Sequence, residues 1–411
     1  SMQLDEVDDD FIIWNEEEFI NATYEGLGYR IHSDLFKIHS QFVMDSAFEK
    51  QRTRQTEENF YSDEEDSYKG SEEAKRVHLK LFDGSLEDVN TRLSSIASKV
   101  KKEGRKKGQY RKEIPEDNNL AARSISKSAM EAGIEMRFPG AATVSSTVSI
   151  DNLSLATLSM MSPWFESDRG KGKVVEMRDN TVIRNYIVPE GSCFHVGDAT
   201  QINNYSNLNG ATFDFIVMDP PWLNLSVKRK KTYSMSDDIL GAIDIPSIME
   251  TEGVLAMWVT NSARVHNMVD KQLKKWGLER IGVWFWLKTT TSGRPTTSFV
   301  ASSSGKQPYE AVIFCVRKDS RQKLEDDERL PRTQLIIAST PMCVHSRKPS
   351  IIEIYRKVWS QMQFSIVHWR YSPDHFIHSA LLSDTNLSCY RMLNFSRNCD
   401  LISTVGDKYV C

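Results

Sequence analysis

Apolar positions along this chain change their rhythm near residue 173. Beyond it, short continuous apolar runs recur: "CFHV" (193–196), "FDFIVM" (213–218), "GVLAMWV" (253–259), "IGVWFWL" (281–287), "EAVIFCV" (310–316) and "QLIIA" (334–338). Runs that are continuous rather than alternating predict strands buried on both faces. Between some of them lie helix-compatible segments, 262–276 and 350–359. Strands alternating with helices predict an α/β, doubly wound, Rossmann-like domain over 173–358. In such a sheet a ligand sits at the carboxyl ends of the strands. Asp219 stands at the carboxyl end of "FDFIVM".

The pattern before residue 173 is less regular. Residues 1–45 mix aromatic and aliphatic positions and read as an ordered N-terminal accessory region. Residues 46–112 read as a charged linker, ending in "KVKKEGRKKGQYRK" (99–112) with eight Lys or Arg. That basic run fits a solvated linker or helix face, a nuclear-import signal or a phosphate-contacting arm. Residues 113–172 give no clear order. The glycine pairs "GLG" (26–28) and "GKG" (170–172) do not link a strand to a helix as a dinucleotide loop must.

Composition narrows the class. The chain has 411 residues, enough for two or three domains, and 40% are hydrophobic. No apolar run reaches the ~18 residues of a membrane helix, and the acidic N-terminus has no signal-peptide pattern. Six cysteines without CxxC spacing argue against a disulfide framework and a zinc site, so no metal is expected. The expected compartment is reducing: nuclear, with a cytosolic fraction. A net charge of −4 gives no general attraction to nucleic acid, so any such contact must come from local patches.

The sharpest chemistry follows "FDFIVM" in "DPPWLNLSVKRKKTYS" (219–234). Proline fixes its own φ and pushes the preceding residue out of the helical region, so Asp219, Pro220 and Pro221 form a stiff, extended turn. The turn offers a carboxylate and backbone carbonyls without a competing proline N–H. Its natural guest is a planar NH2 group, and Trp222 offers an apolar face to a flat ring. Adenine N6 is a poor nucleophile because its lone pair is delocalised. Two acceptors would favour a more tetrahedral nitrogen, and Asp219 would stabilise the positive charge of its transition state. The base must come from a single strand or be flipped out of a duplex. Lys228, Arg229, Lys230 and Lys231 are placed to seek phosphates, and Tyr233 to stack or cap. Trp258 and Trp286 are candidate walls of the base site, with core packing as the equal alternative.

"DPPW", "MWVT", "FWLK", "GKQPYEAVIFCV" and "HSRKP", in this order and spacing, resemble the MT-A70 family of S-adenosylmethionine-dependent adenine N6-methyltransferases. "SVKR", "KQPYE", "HSRKP" and "YIVPEGSCFHVGD" are most similar to its methyltransferase-like protein 4 branch. The resemblance spans about 185–358. It implies S-adenosylmethionine as cofactor, with Asp198 and Ala199 at its adenine and Lys306 neutralising its methionine carboxylate. It also implies Asp219, Pro220, Pro221 and Trp222 as the catalytic motif, with Asp219 next to the cofactor as well. The branch is associated with adenosine in small nuclear RNA, in particular 2′-O-methyladenosine, and with DNA adenine as the alternative acceptor.

The tail departs from the family. Beyond 358 the family continues with a strand ending in Glu-Leu-Phe-(Ala/Gly)-Arg and a later Gly-Asn pair, which bind the cofactor ribose. Residues 359–411 contain neither, and they carry Cys389, Cys399 and Cys411. "FSIVHWR" is a candidate strand and Arg370 a weak substitute. The expectation is a poorly packed tail, a sheet lacking one strand and weak cofactor binding. It leaves a non-catalytic RNA-binding scaffold of the same fold as the alternative to an active RNA methyltransferase.

Overall fold

The computed structural model describes residues 10–24, 31, 33–42, 86–112, 114, 119–125, 147–150, 165–166, 173–179, 182–188, 192–197, 212–220, 222, 237–299, 307–327, 330–343, 347–358, 366–371, 377–382, 404–405 and 408–410. Strands are numbered in chain order: β1 (Phe11–Ile13), β2 (Thr147–Ile150), β3 (Phe165–Glu166), β4 (Lys173–Asp179), β5 (Val182–Val188), β6 (Ser192–Gly197), β7 (Phe213–Asp219), β8 (Met249–Val259), β9 (Leu278–Lys288), β10 (Tyr309–Arg317), β11 (Gln334–Ser339), β12 (Ile366–Tyr371), β13 (Ile377–Leu382), β14 (Thr404–Val405) and β15 (Lys408–Val410). Four helices matter below: α1 (Glu16–Tyr24), α2 (Leu86–Lys106), α3 (Ala263–Trp276) and α4 (Ile351–Val358).

Among the described residues ten strands form one mixed sheet in the order β1-β11-β9-β10-β8-β7-β12-β13-β6-β3; a second sheet runs β14-β15-β5-β4-β2. All six runs expected to be strands are strands of the large sheet. In β7 to β11 burial on both faces is visible residue by residue. In β8, Leu255, Met257 and Val259 enter one core cluster, while Val254, Ala256 and Trp258 enter the other. β9 splits the same way, with Val283, Phe285 and Leu287 opposite Trp284 and Trp286. Period-two alternation between two apolar cores reads as a continuous hydrophobic run. α3 lies on the first face through Val265, Val269 and Leu273. It ends at Gly277, whose φ of 68° is left-handed and whose N–H reaches the carbonyls of Leu273 and Lys274.

The sheet is not wholly parallel. β7 is parallel to β8, and β9 to β11, but β10 runs antiparallel between β8 and β9. Strand direction leaves no mark on a continuous apolar run, so the sequence pattern did not carry it.

The N-terminal region is part of this sheet. β1 pairs parallel with β11, and the Trp14 amide continues the ladder to the Ala338 carbonyl at 2.8 Å. Trp14, Phe19, Ile20, Ile31, Leu35 and Phe36 fill the second face beside Ile351, Ile354 and Tyr355 of α4. The Glu16 carboxylate ties the two parts. It accepts from Trp14 Nε1 at 2.6 Å and from the Ser350 amide at 3.3 Å.

Two expectations need correction. Residues 86–106 are the long helix α2, not linker. Val89, Leu93, Ile96, Ala97 and Val100 recur at helical spacing and are buried against the first face. Their stripe is narrow and lies among charges, which hid it. The second correction concerns the tail: the sheet does not lack a strand beside β7. Ile366–Tyr371 is β12, parallel to β7 with Arg370 opposite Asp219 in register, and β13 pairs antiparallel on its other side. Among the described residues no helix is long and apolar enough to cross a membrane.

Candidate active site

Parallel β7, β8, β9 and β11 end at one edge of the sheet, and antiparallel β10 begins there. This topology brings together Asp219 (end of β7), Lys288 (end of β9), Glu310 (start of β10) and Lys348 (just before α4). The Lys348 ammonium lies 3.7 Å from Asp219 Oδ1 and also donates to Glu310 Oε2. Lys288 donates to the other oxygen, Glu310 Oε1. Glu310 is therefore held between two lysines, and Lys348 between two carboxylates. The four formal charges cancel, as burial of a charged cluster requires.

Indole rings support this cluster. Lys348 sits over the ring of Trp258 at 5.3 Å and Lys288 over that of Trp286 at 4.8 Å, both cation–π contacts. The two rings meet edge to face with centroids 6.2 Å apart. Trp286 Nε1 donates to Ser339 Oγ at 2.7 Å. Trp222 Nε1 donates to the Trp258 carbonyl at 2.8 Å, so the ring of the Asp-Pro-Pro-Trp turn is pinned to the neighbouring strand. The turn closes through the Trp222 amide, which donates to the Pro220 carbonyl at 2.9 Å.

The electrostatic centre is Glu310. Burial by itself would push its carboxyl up, but the charges and hydrogen bonds of Lys288 and Lys348 outweigh burial. They hold it well below the usual carboxylate range.

Of the site residues expected from sequence, Asp219, Pro220, Trp222, Trp258 and Trp286 lie together at this edge. Trp222, Trp258 and Trp286 are 5%, 2% and 3% exposed, so they pack behind the site. Asp198, Ala199, Pro221, Lys228, Arg229, Lys230, Lys231, Tyr233 and Lys306 lie outside the described residues. The sequence reading missed Lys288 and Glu310 and gave Lys348 no role. Their signal was the one that drew attention to Asp219: a charge where an apolar strand meets the carboxyl edge, in "FWLK" and "PYEAVIF".

The arrangement can present Asp219 to an amine donor while holding a lysine beside it. It also suits a zwitterionic amino acid group, with cations for a carboxylate and carboxylates for an ammonium.

The MT-A70 family model matches residues 213–377, a span that runs past Val358 and includes β12. The chain is 30% identical over 351 residues to a Caenorhabditis elegans protein named DNA N6-methyl methyltransferase, covering 85% of this chain and 88% of that one. It is 32% identical over 212 residues to the mouse N(6)-adenine-specific methyltransferase METTL4, covering 50% and 44%. It is 37% identical over 188 residues to the N6-methyladenosine RNA methyltransferase MTA1 of Pyricularia oryzae, covering 43% and 48%. The chain thus spans most of the nematode relative and about half the length of the other two. A likeness of this extent, on a sheet that sets Asp-Pro-Pro-Trp at its carboxyl edge, means that the chain belongs to the MT-A70 family of adenine N6-methyltransferases, on the METTL4 branch.

Proposed function

We propose that this protein transfers the methyl group of S-adenosylmethionine to N6 of an adenosine in RNA, with the carboxyl end of β7 as the chemical centre. The observation that carries the reading is Asp219 at the end of β7, closed behind by the Pro220–Trp222 turn and flanked by Lys348 at 3.7 Å. Asp219 accepts an N–H of the exocyclic amine and faces the positive charge that grows on the nitrogen. A fixed carboxylate aimed at developing charge lowers the barrier without reorganising in the step. Lys348 fixes the orientation of that carboxylate, and Glu310 fixes Lys348. The buried Trp222, Trp258 and Trp286 exclude water behind the cluster.

The donor set fits S-adenosylmethionine. Lys348 would hold its carboxylate, joined by Lys306. Asp198 and Ala199 would take its adenine, and Arg370, opposite Asp219 in register, is the candidate for its ribose side. When bound, the cofactor supplies an electrophilic methyl group. Lys228, Arg229, Lys230, Lys231 and Tyr233 are assigned to the RNA strand around the target. The intact Asp-Pro-Pro-Trp turn supports catalysis over a scaffold role.

RNA is favoured by the branch, with 2′-O-methyladenosine of small nuclear RNA as the finer proposal and the nucleus as the compartment. DNA is the second reading, supported by the nematode relative's name and its coverage. The test is transfer of a labelled methyl group to matched single-stranded RNA and DNA oligonucleotides, with and without a 2′-O-methyl group, followed by nucleoside digestion. Label in N6-methyladenosine from RNA is expected. Label only in N6-methyldeoxyadenosine makes DNA the substrate, and label in neither overturns the reading.

A further inference from the structure

The basic run 99–112 is a sequence feature that the site does not absorb. Its first half is the end of α2, and its second half turns back onto the catalytic edge. α2 crosses the sheet with Lys99 3.7 Å from Asp10 and Gly104 against Ile13, so its C-terminus emerges where β1 ends. The ring of Tyr110 then latches the chain. A Cβ on Gly104 would lie 2.2 Å from the Tyr110 ring, and one on Gly293 would lie 2.6 Å away. Two glycines thus make the socket, and the φ of +80° at Gly293 suits glycine there as well. The Tyr110 hydroxyl meets Thr289 Oγ1 at 3.4 Å, and the Arg111 amide donates to the Thr291 carbonyl at 2.8 Å.

Thr289 directly follows Lys288, which binds Glu310, which binds Lys348, which faces Asp219. The latch therefore fixes the basic segment to the loop that continues the catalytic cluster. Lys102, Arg105, Lys106, Lys107, Arg111 and Lys112 are all exposed there. On a chain of net charge −4 this is a concentrated positive surface held at the rim of the site. A purely solvating helix face would need no glycine-lined socket for its terminus.

We propose that the C-terminus of α2 and residues 107–112 form a phosphate-binding surface that holds the backbone of the RNA strand flanking the target adenosine. The proposal rests on the RNA reading above for the identity of the strand. Lysine and arginine heads on a fixed helix end contact phosphates without reading sequence, so the surface sets position and affinity rather than base preference.

The test uses the full chain and a fluorescein-labelled oligouridylate, which contains no adenosine, so binding is read apart from methyl transfer. The variant Lys106→Gln/Lys107→Gln/Lys112→Gln is compared with Lys106→Arg/Lys107→Arg/Lys112→Arg by anisotropy over a salt series. For the glutamine variant the expected result is a tenfold or greater loss of affinity at about 0.1 M salt. Its salt slope should fall by about 2, at ~0.7 for each phosphate contact on a single strand. The arginine variant should bind as wild type, which separates charge from folding. Wild-type affinity and slope in the glutamine variant overturn the surface even if the protein methylates RNA. A charge-dependent loss in a protein that methylates no adenosine leaves the surface standing and removes the function.

Discussion

Two carboxylates share one edge of the sheet and differ in what surrounds them. Asp219 ends β7 on a rigid turn, with Lys348 at 3.7 Å on one side. Glu310 begins β10 and gives one oxygen to each of two lysines, Lys288 and Lys348. Asp219 ends the strand that carries the Asp-Pro-Pro-Trp turn, whereas both oxygens of Glu310 are taken by lysines of the cluster. In the proposed reaction the first serves the chemistry and the second holds it in place. A motif search finds the first; only the assembled sheet reveals the second, because the partners of Glu310 come from β9 and from the segment before α4.

Removing the inward carboxylate should break the contrast most strongly. Glu310→Ala leaves two lysines without their shared anion. Loss of one partner of a fully buried pair costs ~3–5 kcal/mol, and the partial exposure of both lysines reduces this to about 2–3 kcal/mol. Denaturant unfolding should show that loss, and an unchanged midpoint would refute the structural role. The pH dependence has a definite sign. The folded-state pKa of Glu310 is depressed, so its stabilisation is present above the unfolded value, ~4.3. It is lost as the pH falls through the folded value, below the usual carboxylate range. The stability gap between wild type and Glu310→Gln should therefore stay constant above about pH 5 and close only in strong acid.

The lysines sharpen the comparison with a smaller effect. Lys348 touches both carboxylates and Lys288 only Glu310. At saturating cofactor, Lys348→Met should lower turnover per bound RNA at least tenfold, as for a lost charged contact of ~1.5–3 kcal/mol. Lys288→Met should lower it only a few-fold. Equal losses in steady-state assays would mean that contact with Asp219 is irrelevant.

The smallest effect lies outside the cluster. Burial pushes the Tyr110 hydroxyl up to about 12, despite its hydrogen bond to Thr289. A raised folded-state value gives stability that is present below ~10 and lost as the pH rises toward 12. Tyr110→Phe should unfold less readily in that alkaline window and differ little from wild type near neutrality. Thermal melts at several pH values would check this, and an identical alkaline decline in both proteins would contradict it.

These contrasts show why parts of the molecule were legible in sequence. β7 to β11 stood out because strands between two apolar cores contain almost nothing but apolar residues. Asp219 stood out because two prolines follow it. Glu310 and Lys288 carried a similar signal, a charge at a strand end, but their pairing across β9 and β10 depends on an antiparallel insertion that composition does not encode. α2 was hidden because the five apolar side chains it buries lie among charges. β1 is a three-residue addition to an edge and is too short for periodicity to reveal. β12 lies in a segment without clear boundaries, so its pairing with β7 appeared only in the fold.

The central claim is that methyl transfer depends on Asp219 as an acceptor while Glu310 acts behind it. Single-turnover methylation of one adenosine-containing RNA by Asp219→Asn and Glu310→Gln, at saturating cofactor and RNA, tests it most directly. The account predicts that Asp219→Asn slows the step by roughly two to three orders of magnitude, as for a lost transition-state hydrogen bond. Its RNA affinity should change little, and Glu310→Gln should slow the step far less. A near-normal rate in Asp219→Asn, or a larger loss in Glu310→Gln, would contradict the account.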